Sequence, residues 1–314
     1  MINGNYIWQV DPIQEIDASY GKLHHIILQL LKKRGVVTSE QINRYIYPKL
    51  DYLYNPMLLK DMDKAVTRIG EALSKKRRIT VYGDYDVDGI TSCSILVKLL
   101  KNLGGIVDYY IPSRLNEGYG LNKEAIEVIH KRGTDLIITV DNGIGSYEEV
   151  EYASSLGLDV IITDHHEPQQ KIPQAVAIIN PKQNDCNYPF KELAGVGVAL
   201  KLAHALMDTD SKLEKEFLEL AAIGTIADIV PLLDENRIIV KNGLDGLGNT
   251  KNKGLTAMMT LLNFSDVSIE PGKISYLLAP RINAAGRIGD PEIAVELLLC
   301  EDEARQFFPL HLFS

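Results

Sequence analysis

The 314-residue chain carries 33 Lys and Arg against 42 Asp and Glu, a formal net charge of −9, and 46% hydrophobic residues. That share supports a substantial core and excludes extensive disorder, and the length suits two domains or one large α/β domain with an appendage. No stretch approaches the ~18 consecutive apolar residues of a membrane span, and the opening MINGNYIWQVDPIQEID lacks a secretory signal's basic and apolar regions, so a cytoplasmic protein without membrane partners is expected.

Cys93, Cys186 and Cys300 are far apart and form no CxxC pair, which argues against zinc and redox motifs. The acidic balance lowers the expectation of nucleic-acid binding without excluding it. Bound cations cancel local charge, and a narrow basic track can coexist with an acidic whole.

Residues 1–75 read as a helical N-terminal extension. IILQLLKKRG (26–35) is amphipathic and stops at Gly35, and Thr38-Ser39-Glu40-Gln41 is a capped helix start. DMDKAVTRIGEALSKKRR (61–78) sets Ala65, Ile69 and Ala72 at helical spacing. From residue 79 strands and helices alternate. ITVYG (79–83), GIVDYYIP (105–112), DLIITVD (135–141), DVIITD (159–164) and AVAIIN (175–180) are strands, with helices over 90–104, 122–133 and 147–157. Strands this apolar are buried on both faces. The expected fold class is α/β, a largely parallel sheet flanked by helices, with an α/β domain over 76–235. After residue 190 the pattern is helical, through 195–208 and 214–230, into a C-terminal helical segment over 236–314 that includes PEIAVELLLCEDEARQFF (291–308).

Asp84, Asp86 and Asp88 alternate in ITVYGDYDVDGI, where a strand pattern runs into a glycine. On an extended strand, side chains two apart share a side. Three crowded carboxylates call for a cation, and hard divalent ions prefer such oxygens; a solvated acidic turn is the alternative. Asp141 ends its strand before NGIGS, either as a ligand or as the Asp of an Asn-Gly turn. Asp164, His165 and His166 end another strand. Neighbours on a regular strand face opposite ways, so one histidine is expected to bind metal and the other to meet a phosphate or nucleophile. Asp228 sits within the apolar run AAIGTIADIVPL, either facing water or delivered to the strand edge as a ligand. Ligands bind at that C-terminal strand edge in open α/β sheets. The inventory suits two cations about 3.5–4 Å apart and phosphate ester or anhydride hydrolysis. Gly195 and Gly197 lack a following GK[ST], so close helix packing is expected there rather than a phosphate loop.

GDYDVDG, VDNGIGS, TDHHEP and IGTIADIVPL, in this order, resemble the DHH phosphoesterase superfamily. APRINAAGRIGDP, IPSRLNEGYGLN and NPMLLKDMDKAVTRI narrow the resemblance to its bacterial single-stranded-DNA-specific exonucleases, over most of residues 40–305. The resemblance implies a 5′→3′ exonuclease on single-stranded DNA in recombination and repair, using two Mn²⁺ or Mg²⁺ ions, with other repair proteins as further partners. It implies Asp84, Asp86, Asp88, Asp141, His165 and Asp228 as metal ligands and Asp141 and His166 as catalytic residues. Arg114, Arg281, Asn283 and Arg287 would bind substrate phosphates.

Members of that group continue into a second catalytic lobe and an OB-type DNA-binding domain, which nothing in this sequence matches. The expectation is a truncated chain, impaired in activity, whose cut interdomain helix exposes Leu297, Leu298 and Phe307. Two other readings remain open. One is a small-substrate phosphoesterase acting on oligonucleotides, cyclic dinucleotides or pyrophosphate. The other is a catalytically weak remnant that binds only metal or a partner.

Overall fold

The computed structural model describes residues 23–113, 117–118, 120–207, 211–264, 269–288 and 291–302. The chain divides into two compact units, Met1–Pro48 and Lys49–Ser314. In the first, α1 (His25–Lys33) and α2 (Ser39–Ile46) are described. Thr38 caps α2 through a reciprocal pair in which its hydroxyl accepts from the Gln41 amide and the Gln41 side chain accepts from the Thr38 N–H. That pairing satisfies two amides a helix start would otherwise leave open.

The second unit runs α3 (Met62–Ser74), β1 (Arg78–Tyr82), α4 (Val87–Asn102), β2 (Ile106–Tyr110), α5 (Lys123–Lys131), β3 (Leu136–Val140), α6 (Tyr147–Ser155), β4 (Asp159–Thr163) and β5 (Ala177–Ile179). Helices follow: α7 (Gly195–Leu206), α8 (Ser211–Ala227), α9 (Asp234–Leu247), α10 (Lys253–Leu261), the short α11 (Pro271–Lys273), a π-helical turn (Ile274–Leu278), α12 (Ala279–Ile288) and α13 (Glu292–Leu299).

Among the described residues, five strands pair in parallel, in the order β2-β1-β3-β4-β5. The alternation of side chains along each strand explains the apolar runs. Ile79, Val81, Ile138 and Ile161 join a core with α3, α4, α7 and α8, while Tyr82, Ile137, Val160 and Ile162 join a second core with α5 and α6. The expected α/β class and parallel sheet are therefore present. The chain order reverses between β1 and β3, which opens a crevice at their C-terminal ends.

The cut-helix expectation fails for the residues that can be checked. Leu297 and Leu298 are 2% and 1% exposed. The helix ends at Leu299 instead of projecting onward, and its apolar face packs on α4 and α10. Gly254 lets the α10 backbone approach Leu297, and the Asn252 amide donates to the Leu298 carbonyl at 2.7 Å. Phe307 lies outside the described residues.

One polar node is fully enclosed. Lys201 on α7 and Glu235 on α9 are both 0% exposed and 2.5 Å apart. The Glu235 carboxylate also accepts from the Tyr188 hydroxyl at 2.6 Å and the Tyr54 N–H at 2.8 Å, and Lys201 donates to the Tyr54 carbonyl at 2.8 Å. Burial lowers the Lys201 pKa while Glu235 pulls it back up. Removing one partner of such a pair strands the other charge, at a cost of about 3–5 kcal/mol. Lys201→Met should lower the urea-unfolding free energy by about that much. Glu235→Gln keeps an acceptor for Tyr54 but leaves the buried Lys201 ammonium without its counter-charge, so it should cost a comparable amount. A Lys201→Met chain unfolding at the original urea midpoint would contradict this account.

Candidate metal centre

The three early aspartates do not lie on one extended strand. β1 ends at Tyr82, so Asp84 falls in the turn, Asp86 caps α4 and Asp88 stands in its first turn. The sequence pattern of alternation suggested a strand, but the chain here reverses into a helix. Gly89 makes that turn possible: a Cβ there would lie 2.5 Å from the Asp84 carbonyl oxygen and 2.6 Å from its nitrogen. The Asp86 carboxylate accepts from the Gly89 N–H at 3.0 Å, and that of Asp84 from the Tyr85 N–H at 2.8 Å. Asp88 is aimed by α7, whose first amides, Gly195 and Val196, donate to its two oxygens at 2.7 and 2.8 Å. A helix N-terminus favours a carboxylate at this point.

Asp141 follows β3 in the left-handed region, with φ of 63°, a conformation Asp tolerates better than most residues. Its N–H donates to the Thr163 carbonyl at 3.0 Å. Gly195 packs on its side chain, since a Cβ at 195 would lie 2.6 Å from Asp141 Oδ1. Close packing, expected at this glycine from sequence, is thus what it provides.

β4 ends at Thr163, so Asp164, His165 and His166 have left the strand and the alternation argument no longer applies to them. The two rings lie 4.4 Å apart, and both offer a nitrogen in one cluster with an Asp141 oxygen, all within 4.8 Å. His165 Nε2 is 3.1 Å from Asp141 Oδ1 and 3.8 Å from Asp88 Oδ2, and its Nδ1 is 3.7 Å from Asp228 Oδ2. Asp228 lies one residue beyond α8, not inside it. Ile229 turns the chain there with φ of 63° and is 88% exposed.

Among the described residues three donor groups result, each within 4.8 Å: Asp84, Asp86 and Asp141; Asp88, His165 and Asp228; Asp141, His165 and His166. Asp141 joins the first to the third, and His165 the second to the third. All six ligands expected from sequence and His166 therefore meet at one edge of the sheet. Among the described residues, buried His165 Nε2 and Asp228 Oδ2 make no hydrogen bond, with His165 Nε2 facing Asp141 Oδ1 at 3.1 Å. Oxygen and imidazole donors that converge in this way fit a divalent cation between them.

The electrostatics agree. Burial, then repulsion from neighbouring carboxylates, raises the pKa of Asp88 and Asp141 well above the usual carboxylate range. Burial also raises Asp228, against the opposing pull of His165. Burial lowers the His165 pKa, which favours the neutral form a ligand needs, with Asp228 acting against that.

Asp164 carried no assigned role in the sequence reading, and it organises the second histidine. Its carboxylate accepts from the His165, His166 and Ile144 amides at 2.7, 3.1 and 2.9 Å, and pairs with His166 Nδ1 at 2.7 Å. Burial alone would raise its pKa, but the His166 bond and these amides bring it below the usual value. The same bond raises His166. The signal available was only the Asp of the triplet itself.

The expected phosphate contacts are less complete. Asn283 Oδ1 accepts from the Val87 N–H at 3.1 Å, which ties α12 to the first turn of α4 beside Asp86 and Asp88. Arg281 donates back to the Leu277 carbonyl at 2.9 Å. Arg114 and the Arg287 side chain lie outside the described residues.

Residues 78–225 match the DHH family, N-terminal domain. The single-stranded-DNA-specific exonuclease RecJ of Bacillus subtilis (strain 168) is 46% identical over 306 residues, 96% of this chain and 38% of that protein. Its counterpart in Escherichia coli (strain K12) is 39% identical over 313 residues, 95% of this chain and 53% of that protein. The crystal structure of RecJ in complex with Mn²⁺ from Thermus thermophilus matches with a TM-score of 0.74 at 32% identity, covering 90% of this chain and 40% of that one. The chain spans 38% and 53% of the length of the two curated relatives. Sheet order, the sequence of ligand-bearing segments and these likenesses coincide: the chain carries a DHH-family N-terminal domain over residues 78–225 and is a homologue of the RecJ exonucleases it matches.

Proposed function

We propose that this chain carries the metal-dependent core of a cytoplasmic 5′→3′ exonuclease that hydrolyses phosphodiester bonds of single-stranded DNA during recombination and repair. The observation that carries the reading is the convergence of three carboxylate and imidazole groups sharing Asp141 and His165. The likeness to proteins named single-stranded-DNA-specific exonucleases, one of them crystallised with Mn²⁺, supports the substrate and the metal.

In this reading Asp84, Asp86, Asp88, Asp141, His165 and Asp228 hold two Mn²⁺ or Mg²⁺ ions. When bound, such a pair acidifies water and neutralises phosphoryl charge. His166, whose pKa the Asp164 bond raises, donates from its ring to a phosphate oxygen or a leaving oxygen. The α/β region 76–235 is the catalytic domain, with Arg281 and Asn283 of the following segment as phosphate contacts. Arg114 and Arg287 join them in this reading by the resemblance alone.

The test is Mn²⁺-dependent release of mononucleotides from 5′-phosphorylated single strands by this chain, with cyclic dinucleotide and pyrophosphate as competing substrates. Preference for either small substrate would overturn the exonuclease reading. Asp141→Ala should lower turnover by more than about 100-fold, beyond the ~10–100-fold typical of losing an outer partner. Asp164→Asn should fall inside that smaller range and shift the acidic or basic limb of the pH–rate profile, since it acts through His166. An unchanged profile would remove Asp164 from the mechanism.

Metal binding should also be read in stability. Carboxylates with raised pKa stabilise the metal-free fold fully only below their unfolded value, and that contribution is lost as pH rises through the folded value. His165, lowered by burial, works in the opposite sense but only below its ordinary pKa of about 6.5. Above that value the carboxylates decide the trend. The rise in Tm on adding Mn²⁺ should grow with rising pH as ligand protons are released. A pH-independent rise would mean that the ion binds elsewhere.

A further inference from the structure

The cluster is strongly acidic, and a polyanionic strand needs a positive group beside it. Lys182 supplies one that neither sequence reasoning nor the resemblance singled out. β5 pairs in parallel with β4 with Ile179 opposite Thr163, so Asn180 leaves the sheet beside Asp164 and the chain turns at residues 181–182. The Asn180 amide donates to the His166 carbonyl at 2.9 Å, and its Oδ1 accepts from the Lys182 N–H at 2.8 Å. The lysine backbone is thereby fixed to the histidine segment through one side chain.

The Lys182 ammonium is 3.3 Å from Glu167 Oε1, and the two side chains are 19% and 80% exposed. An ion pair with so exposed a carboxylate contributes little, which is a poor return for largely enclosing an ammonium. Its field reaches the ligands: it lowers the pKa of both His165 and Asp228, behind their larger burial effects. The charged and titratable groups it acts on are thus Glu167, His165 and Asp228. Lysine acts on phosphates as a mobile point charge.

We propose that Lys182 binds a phosphate of the substrate strand beside the scissile phosphodiester, on the β5 side of the cluster, exchanging Glu167 for a phosphate oxygen. Lys182 is a positioning residue that touches the strand and holds it in register with His166; no bond is made or broken there. Glu167 occupies the ammonium until the strand arrives. This inference rests on the exonuclease reading above.

The test is equilibrium binding of a 5′-phosphorylated oligothymidylate by fluorescence anisotropy, with Ca²⁺ replacing Mn²⁺ to suppress turnover, over a range of salt. Lys182→Met should weaken Kd by about 10-fold at low salt, and the slope of log K against log salt should become shallower by about 0.7, the share of one single-strand phosphate contact. Lys182→Arg should restore the slope, and Glu167→Gln should tighten binding by a few fold. A purely structural lysine would not move the slope. Unchanged Kd and slope in Lys182→Met, with normal binding by the unaltered chain, would overturn this inference alone. An unaltered chain that neither binds nor cleaves the strand would overturn the exonuclease reading and this inference with it.

Discussion

Mutual repulsion among buried carboxylates is the constraint around which the second unit is organised. Asp88 and Asp141 are 2% exposed, face other acids and carry raised pKa values. A folded chain tolerates such crowding only where other elements hold it in place. The first amides of α7 grip Asp88, Gly195 on the same turn packs against Asp141, and Gly224 on α8 leaves room for Asp88 and Thr91. Helices from the C-terminal side of the sheet thus position groups that the strands deliver. The sheet alone would not make the cluster.

Much of the fold was legible because its signals are local. The apolar strands, the amphipathic spacing of Ala65, Ile69 and Ala72, and the capping residue Thr38 all record short-range requirements. The ligand types were legible too, because carboxylates and imidazoles at strand ends stand out against an apolar background. What the sequence hid was geometry at the strand-to-helix junctions. Alternation at Asp84, Asp86 and Asp88 imitates a strand, yet the chain is turning. Adjacent histidines suggest opposite faces, yet His165 and His166 have left the strand and share a spot. The role of Asp164 was obscured because it works through hydrogen bonds across 20 residues to Ile144 and to its own neighbours. Lys182 gave no sequence signal because nothing about a lysine after a short strand distinguishes it from a solvated one.

The net charge of −9 now has a local explanation. A large part of the acidity that argued against a nucleic-acid partner is concentrated where cations would cancel it. Charge summed over a chain weighs every carboxylate equally, whereas a polyanion meets only the field at its own path. The same concentration makes the buried pair Lys201–Glu235 intelligible as a separate matter: it joins α7 to α9 behind the cluster and fixes the helix whose N-terminus faces Asp88.

Ile229 has a cost that its surroundings do not reward in packing, since a β-branched residue at positive φ is strained by roughly 1–3 kcal/mol while its side chain lies almost wholly in water. The bend it makes is what lets Asp228 leave the end of α8 and face His165. A library selected solely for heat resistance would therefore drift toward Gly or Asn at this position, and the gain would come from relaxed backbone, with no new contact formed.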